Sequence, residues 1–367
     1  MRIKSVETFS NESVAVVRVE TDDGNEGWGQ IAPYHADISA AVLHRQVAPY
    51  ALGADALDID PLIASIPERE HKFPGSHLIR AIGGLDTALW DLRGRLEGKS
   101  VCELIGGGGS PRPIRIYASS MRRDIEPAEE ARRLARLQEE HGFTAFKFRI
   151  GREVGHDEDE WPGRTDEIVP RVRAALGDEA TLLVDANSCY TPAKAIEVGR
   201  FLEANGVVHF EEPCPYWELE WTAQVTEALD LDVAGGEQDC LLSQWRRIID
   251  MRAVDVVQPD ICYLGGLTRT LAVAAMAAEA GLPCTSHSAN LSLVTVFTLH
   301  LMAAIPGAGP YVEFSIEPDE YYPWQAGLFT PALEVRDGAV AVPDGPGWGV
   351  EVSPRWLETA ERVVSTV

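Results

Sequence analysis

Leu182-Leu-Val-Asp-Ala-Asn187, Val208-His-Phe-Glu-Glu-Pro213 and Val233-Ala-Gly-Gly-Glu237 share one pattern, a short apolar run that leads to an acid. Asp185, Glu211 and Glu237 lie 26 residues apart, and a helical stretch follows each of them. Repeated strand–helix units are typical of a parallel α/β barrel, in which all strands open at their carboxyl ends into one mouth. We therefore predict a barrel with these three carboxylates in its active site.

A cation is needed if three carboxylates are to share one mouth, because they otherwise repel one another. Mg²⁺ prefers oxygen ligands and keeps open positions for a substrate. Asp185, Glu211 and Glu237 are therefore the predicted Mg²⁺ ligands. Glu212 alternates to the other side of its strand, which makes it a weaker candidate.

Eight apolar runs supply the strands of the predicted barrel, and helical patterns separate them. They cover 114–119, 145–150, 181–185, 208–211, 232–234, 254–258, 283–287 and 311–313. An acidic stretch at 151–166 enlarges the loop after the second strand. The predicted domains are a cap at 1–113, the barrel at 114–315 and a tail at 316–367 that packs back on the cap.

The cap begins with strand patterns over 1–30, which include an Asp23-Gly24 turn and predict an antiparallel ribbon. Helical patterns follow over 38–106. One helix repeats leucine with helical spacing and ends at Gly98. The leucines predicted to share its buried face are Leu85, Leu89, Leu92 and Leu96. The glycine-rich segment 106–113 is the predicted domain boundary.

Composition excludes several classes of function. The 367 residues carry a net charge of −25, which argues against nucleic acid and anionic membranes as partners. An anionic substrate then requires a locally positive site. Six cysteines without a CxxC pair indicate free thiols in a reducing cytoplasm. We expect neither a signal peptide nor a membrane span.

The run Ala145-Phe-Lys-Phe-Arg-Ile150 places Lys147 and Arg149 on one face of a strand. Inside a barrel this face is the interior, where a lysine is costly unless it is used. The nearby Arg149 and the metal are expected to lower the pKa of Lys147, so that it can act as a base. The alternative is a structural lysine paired with an acid.

A histidine and an acid end two neighbouring strands. Asp260 follows the sixth strand and His287 ends the seventh, so Asp260 can orient His287 and stabilise its charge. The alternative for His287 is a core histidine without a catalytic role. Glu313 ends the eighth strand and is expected to be either a protonated donor or a solvated rim residue. Asn187 either contacts a substrate hydroxyl or forms an Asx turn.

The set Lys-x-Arg, Asp, Glu-Glu-Pro, Gly-Glu, Pro-Asp, Ser-His and Val-Glu-Phe resembles the mandelate racemase subgroup of the enolase superfamily. The helix at 83–92 and the following Cys102-Glu-Leu-Ile-Gly-Gly resemble the segment that links its capping domain to its barrel. The resemblance implies a modified (β/α)7β TIM barrel of the α/β class, under an α+β cap built from the N-terminal region and the C-terminal tail.

The same resemblance implies Mg²⁺-assisted removal of a proton next to a carboxylate, which gives an enediolate. The implied Mg²⁺ ligands are again Asp185, Glu211 and Glu237. Lys147 would be one base with Arg149 as its neighbour, and His287 with Asp260 would stand on the opposite face. Glu313 would hydrogen-bond the substrate carboxylate, and Asn187 would face the substrate. Lys-x-Arg replaces the Lys-x-Lys of many relatives.

Dehydration of a sugar acid, an aldonate or an aldarate, is the expected reaction. The short connection 9–13 leaves space in the cap for a hydroxyl-rich pocket. Its candidate lining residues are Tyr34, His35, His77, Trp217 and Trp221, which could equally serve interdomain packing. Racemisation or epimerisation of a carboxylate, and a non-catalytic binding protein, are the alternatives. The resemblance also implies a homo-oligomer, either a dimer or an octamer.

Overall fold

The computed structural model describes residues 1–106, 113–324 and 326–367, and its first part is an α+β cap. The antiparallel strands β1 (Ile3–Ser10), β2 (Ala15–Thr21) and β3 (Glu26–Ile31) confirm the ribbon predicted for 1–30. Helices follow as α1 (Ala36–Val42), a π-helical turn (Leu43–Val47), α2 (Ala48–Ala51), α3 (Ile59–Arg69), α4 (Ser76–Glu97) and α5 (Val101–Gly106). Most of the predicted boundary, 107–112, lies outside the described residues.

Helix α4 packs directly on β3 because β3 carries glycines on the contact face. A Cβ atom at Gly27 would lie 2.5 Å from the backbone nitrogen of Leu92. Leu85, Leu89 and Leu92 are fully buried, as predicted, but Leu96 is 38% exposed. Since β3 begins at Glu26, opposite Leu92, the last turn of α4 extends beyond the sheet. Gly98 ends α4 with φ 67°, as predicted.

The barrel alternates strands and helices in chain order. Its elements are β4 (Ile114–Ser119), α6 (Pro127–His141), β5 (Ala145–Arg149), α7 (Arg164–Leu176), β6 (Thr181–Asp185), α8 (Pro192–Ala204), β7 (Val207–Glu211), α9 (Leu219–Ala228), β8 (Asp232–Gly235), α10 (Leu242–Asp250), β9 (Val256–Val257), α11 (Leu267–Glu279), α12 (Leu293–Ala304) and β10 (Val312–Ser315). Strands β4 to β9 pair in parallel with their chain neighbours, and β10 pairs with β4. The predicted barrel fold is thus confirmed.

The predicted seventh strand, 283–287, is not a regular strand. It joins the sheet through isolated bridges between Val257 and Cys284 and between Asp260 and His287. Pro259, which lies between these bridges on the neighbouring segment, has no N–H to donate, so the ladder is interrupted. The backbone nitrogen of His287 nevertheless donates to the Pro259 carbonyl at 3.1 Å, which keeps the histidine beside Asp260.

The tail contacts both domains. It contains β11 (Phe329–Thr330), β12 (Val335–Arg336), β13 (Ala339–Val340), β14 (Glu351–Val352), α13 (Pro354–Leu357) and β15 (Glu361–Thr366). Strand β15 pairs with β1 of the cap, whereas the β12–β13 hairpin pairs with β4 of the barrel. All six cysteines are free thiols. Among the described residues, no helix combines the length and the apolar character that a bilayer crossing requires.

Candidate active site

The carboxyl ends of neighbouring strands bring most of the predicted site residues to one level of the barrel. Arg149 on β5 is in register with Asp185 on β6, which is in register with Glu211 on β7. Glu237 follows β8 by two residues, and Glu313 lies within β10. All five side chains are buried. The rule that active sites lie at strand ends therefore located these groups correctly in space.

Lys147 is fully buried and surrounded by acids. Its Nζ atom donates to Glu211 Oε1 at 2.6 Å and pairs with Glu313 Oε1 at 2.8 Å, and it lies 3.8 Å from Asp185 Oδ2. Burial lowers the pKa of Lys147, but the carboxylates of Glu211 and Glu313 outweigh burial and raise it. The chain's own groups therefore raise the pKa of Lys147, which is opposite to the predicted lowering. Arg149 does lower this pKa, as predicted, but by less than the carboxylates raise it.

Arg149 and Asp185 form a direct ion pair through Nη1 and Oδ2. The same guanidinium donates to the side-chain oxygen of Asn187 at 3.0 Å. The Asn187 amide nitrogen in turn donates to Asp185 Oδ2 at 3.3 Å. Asn187 thus uses its side chain to join the two charged groups, and the predicted alternative of an Asx turn made by this side chain is not found.

Glu211 is held from two further directions. Gln258 donates to its Oε2 atom at 2.9 Å, and His209, on the same face of β7, lies 3.6 Å from that oxygen. Burial raises the pKa of Glu211, but Lys147 outweighs this effect, and the pKa lies well below its usual range. Sequence analysis missed His209 and Gln258, although strand alternation from Glu211 points to His209.

Glu237 and Glu212 are buried carboxylates whose negative charges are less well compensated by neighbouring cations than the charge of Glu211. Glu237 Oε2 lies 3.3 Å from His287 Nε2, and Gln238 donates to its Oε1 atom at 3.0 Å. Burial, partly offset by His287, raises the pKa of Glu237. Burial and the charges of Glu237 and Glu211 raise the pKa of Glu212 well above its usual range. Among the described residues, the Oε1 atom of Glu212 has no hydrogen-bond partner.

These carboxylates suit Mg²⁺ in their chemistry, although their side chains are not arranged as a ligand group. Within the described ranges, no three His, Cys, Asp or Glu side chains are grouped so that they could hold a metal ion. Asp185 is paired with Arg149, Glu211 is paired with Lys147, and Glu237 lies next to His287, so each predicted ligand already has a partner within the chain. Asp185, Glu211 and Glu237 nevertheless supply buried carboxylate oxygens, the hard donors that a divalent cation requires, and beside them Glu212 has an oxygen without a partner among the described residues.

His287 and Asp260 form the pair that the sequence predicted. His287 Nδ1 lies 2.8 Å from Asp260 Oδ2. The other oxygen of Asp260 accepts from the backbone nitrogens of Cys262 and Tyr263, each at 2.8 Å, which fixes the carboxylate in place. Burial lowers the pKa of His287, but the charges of Glu237 and Asp260 outweigh it and raise the pKa to about 10. These two carboxylates therefore stabilise a proton on His287.

Glu313 is neither a protonated donor nor a rim residue, so both predictions for its state are wrong. It is fully buried, and its two oxygens accept from Ser119 Oγ and from the backbone nitrogen of Ser288, each at 2.8 Å. Burial raises its pKa, but Lys147 and His287 outweigh burial and lower the pKa to about 2. Its ionised carboxylate lies between Lys147, on its Oε1 side, and His287 Nε2, 3.9 Å from Oε2.

A cavity of about 750 Å³ opens above these residues, between the cap and the barrel. The predicted residues that line it are Tyr34, His35, His77, Arg149, Asn187, Glu237 and His287. Lys147 is not among the lining residues, and its Nζ atom is paired with Glu211 and Glu313. Trp217 is 54% exposed, and Trp221 packs against the outer barrel core, so both predicted pocket tryptophans are placed wrongly. They belong to the segment around α9, outside the barrel.

Several lining residues were missed in the sequence. The wall also includes Ser76, Arg80, Met121, Arg123, Glu153, Gln238, Tyr263, Ala289, Tyr321 and Tyr322. Two of them carried a signal: Arg80 lies three residues after His77 on α4, and Arg123 lies in the loop that follows β4. Tyr321 and Tyr322 carried none, because nothing in the tail predicts that it reaches the mouth of the barrel.

Two family models match the chain. The N-terminal domain of mandelate racemase / muconate lactonizing enzyme matches residues 2–106, and the enolase C-terminal domain-like model matches residues 129–356. Together they cover the cap and the barrel described above.

Curated relatives match nearly the whole chain. The arabinonate dehydratase of Saccharolobus solfataricus is 30% identical over 360 residues, which cover 96% of this chain and 91% of the relative. The D-galactarolactone cycloisomerase of Agrobacterium fabrum is 31% identical over 356 residues, which cover 94% of this chain and 90% of the relative. The chain is thus similar to an acid-sugar dehydratase and to a cycloisomerase.

Solved structures match the fold over its full length. A provisionally named racemase from Roseobacter denitrificans is 61% identical, with a TM-score of 0.98 and 100% of both chains covered. The L-talarate dehydratase from Polaromonas sp. JS666, solved with Mg and L-glucarate, is 27% identical, with a TM-score of 0.86. The match covers 100% of this chain and 99% of that dehydratase.

Proposed function

The chain belongs to the mandelate racemase/muconate lactonizing enzyme family of the enolase superfamily, and on this basis we propose that it is an Mg²⁺-dependent acid-sugar dehydratase. Its substrate is an aldonate or an aldarate, and its product is a 2-keto-3-deoxy acid. The observation that carries this proposal is the position of Glu313 between Lys147 and the His287–Asp260 pair.

The first step is removal of the proton next to the substrate carboxylate, with Lys147 as the base. An enediolate forms as the C–H bonding pair moves towards the carboxylate. Lys147 can accept this proton only as a neutral amine, and the charges of Glu211 and Glu313 now hold it protonated. Something other than the ammonium group must therefore compensate these carboxylates during turnover. Asp185, Glu211 and Glu237 are the residues that would hold Mg²⁺.

Bound Mg²⁺ would neutralise its carboxylate ligands and the negative charge that grows on the substrate carboxylate as the proton leaves.

The second step is loss of the hydroxyl group on the next carbon. His287 donates its proton to this hydroxyl as the C–O bond breaks, so water leaves and an enol remains. The enol takes up a proton at the next carbon to give the 2-keto-3-deoxy acid. Asp260 stabilises the protonated imidazole and fixes its orientation through the 2.8 Å contact. Asn187 and the polar cap residues Tyr34, His35 and His77 line the wall that would face the substrate hydroxyls.

The proposal is tested by incubating the protein with Mg²⁺ and a panel of aldonates and aldarates, and by measuring the 2-keto product. We expect turnover of at least one acid, its loss with EDTA and its recovery with Mg²⁺. Lys147→Ala and His287→Asn are expected to abolish product. Exchange of the alpha proton in D₂O should persist in His287→Asn, because Lys147 remains.

Matched controls separate these roles from general damage. Lys194→Ala removes a partly exposed lysine that pairs with Glu197, and His71→Asn removes an exposed histidine. Both are expected to retain the wild-type rate. Near-normal rates in Lys147→Ala or His287→Asn would contradict their assigned roles. Absence of both product and isotope exchange across the whole panel would favour a non-catalytic binding protein.

Racemisation or epimerisation is the second candidate, because the 61% identical relative is provisionally named a racemase. Lys147 and His287 would then take and return the alpha proton from two sides. Isotope exchange with inversion of the alpha carbon and without a 2-keto product would support this reaction over dehydration.

A further inference from the structure

Arg80 is a cation on the cap side of the cavity wall. It lies in the first turns of α4, and its guanidinium carbon stands 3.6 Å from the centre of the Tyr263 ring. Its only hydrogen bond to the described residues is a long one, 3.4 Å from Nη1 to the carbonyl oxygen of Pro33. Stacking on the ring fixes the plane of the guanidinium and leaves most of its N–H donors unused.

The other two arginines of the cavity are already engaged. Arg149 forms its ion pair with Asp185. Arg123 donates to the Asn187 side chain at 2.9 Å and to the Gly151 carbonyl at 3.2 Å. Arg80 has no carboxylate within ion-pair distance among the residues that the structure describes. Its charge is therefore available to an anion that enters the cavity.

The location of Arg80 indicates which part of a ligand it would meet. Tyr263 is next to both groups: its ring lies 5.8 Å from the His287 ring, and the Arg80 guanidinium stacks on it. Arg80 belongs to α4 of the cap, whereas His287 lies at the strand ends of the barrel. The reacting carboxylate belongs at the strand ends, so a group beside Arg80 belongs to the far end of the substrate.

We propose that Arg80 binds a second carboxylate at the far end of the substrate, and that the site therefore selects acid sugars with a carboxylate at both ends over those with one. This inference rests on the proposed function and narrows its substrate class from acid sugars in general to aldarates. A planar guanidinium can donate two parallel hydrogen bonds to a carboxylate. The terminal hydroxymethyl group of an aldonate carries no charge to pair with it.

The test compares an aldarate with the aldonate of the same configuration, such as galactarate with galactonate. The wild type should have the higher kcat/KM for the aldarate. Arg80→Ala should lower the aldarate-to-aldonate ratio of kcat/KM about 30-fold, the size expected for a lost charge-assisted pair. The change should lie mainly in KM, because the contact with Arg80 stabilises the bound substrate and the transition state equally. Arg80→Lys should retain part of the preference, since lysine keeps the positive charge but cannot donate the two parallel hydrogen bonds of a guanidinium.

Arg69→Ala is the matched control. Arg69 also lies over a tyrosine ring of the cap, 5.2 Å from the centre of Tyr50, but it is exposed and does not line the cavity. This variant should keep the wild-type ratio. A wild type without preference for the aldarate, or an Arg80→Ala variant that slows both acids equally, would overturn the inference.

A binding measurement separates this inference from the proposed reaction. Calorimetry with Mg²⁺ in the Lys147→Ala background, with and without Arg80→Ala, compares the Kd values of the two acids without turnover. An aldarate preference that disappears with Arg80 supports the inference even if the wild type dehydrates no acid, in which case the proposed function alone fails. Equal Kd values for the two acids overturn it even if dehydration is found.

Discussion

The protonation of His287 depends on the neighbouring carboxylates of Glu237 and Asp260, and the contribution of Asp260 can be removed by one substitution. In Asp260→Asn, the side-chain oxygen can still accept from the backbone nitrogens of Cys262 and Tyr263, so the turn should persist. The negative charge 2.8 Å from Nδ1 is lost. Because the Asp260 carboxylate helps to raise the pKa of His287, that pKa should fall from about 10.

We expect Asp260→Asn to lower kcat by up to about 100-fold, because an unpaired imidazole is misoriented and is a poorer carrier of the proton. The measurement is the pH profile of kcat, whose alkaline limb should move to lower pH in the variant. A purely structural role for Asp260 would lower the rate without moving this limb, and such a result would contradict the assignment. The thermal midpoint serves as the check on folding.

Single residues also show which features of the site could be predicted from the sequence and which could not. Asp185 and Glu211 were found because the end of a strand is visible in sequence and has a fixed place in a barrel. The chain's own groups raise the pKa of Lys147, which the sequence did not predict, because this effect depends on which acids from other strands reach its Nζ atom. Glu313, from β10 at the other end of the barrel sequence, was one of them. Arg80 was missed although it lies one helical turn after His77 on α4, because helical spacing alone does not distinguish a cavity wall from a solvated face.

Among the elements, α4 and β3 pack with their backbones in close contact. A Cβ atom at Gly29 would lie 2.4 Å from the backbone nitrogen of Ala88 and 2.6 Å from the Gly84 carbonyl oxygen. Neither backbone atom can move without shifting the helix. Gly29→Ala should therefore lower the free energy of unfolding by about 3 kcal/mol, the upper part of the usual range for overpacking.

Chemical denaturation of Gly29→Ala is the measurement, with Ile38→Ala as its control. Ile38 is 48% exposed in the same domain, and its truncation should change the free energy of unfolding by about 0.5 kcal/mol at most. If Gly29→Ala unfolds at the wild-type denaturant concentration, the helix does not rest on the strand as closely as described.

Elements were predictable where their pattern was local. The strands at 114–119 and 181–185 were predicted with their observed bounds, because an apolar run bounded by loops is sufficient evidence for a buried strand. The segment 283–287 was also predicted as a strand, yet it is more polar and its pairing depends on Pro259 in the neighbouring segment. The β12–β13 hairpin pairs with β4 across more than 200 residues, and such a pairing leaves no local signal.

In the whole molecule, the tail returns to complete the cap as an edge strand. Strand β15 carries Val363 and Val364, which are 38% and 43% exposed. Apolar side chains on an edge strand favour contact with a further chain. The homo-oligomer expected from the family resemblance, a dimer or an octamer, stays a prediction that sedimentation velocity can check.

The cap and the barrel are joined through buried polar contacts. Gln30 on β3 donates to Ser292 Oγ at 2.9 Å and accepts from the backbone nitrogen of Leu293 at 3.0 Å. Nearby, Asp86 on α4 accepts from the backbone nitrogen of Thr268 at 3.2 Å, and its Oδ2 atom has no hydrogen-bond partner in the part of the chain that the structure describes. The junction therefore contains a buried carboxyl group that is only partly satisfied, so the stability of the whole molecule should depend on pH.

Burial raises the pKa of Asp86 to about 7 against the opposing effect of Thr268, whereas in the unfolded chain it ionises near pH 4. The protonated form is favoured by folding, so this stabilisation is complete below pH 4 and is lost as pH rises to about 7. Asp86→Asn does not titrate, so its thermal midpoint should rise relative to that of the wild type as pH increases across this window. The corresponding difference in the free energy of unfolding has a limit on the order of 4 kcal/mol. Asp178→Asn, which removes an exposed carboxylate, should show no such divergence. A constant difference between Asp86→Asn and wild type from pH 4 to pH 8 would mean that Asp86 ionises alike in both states.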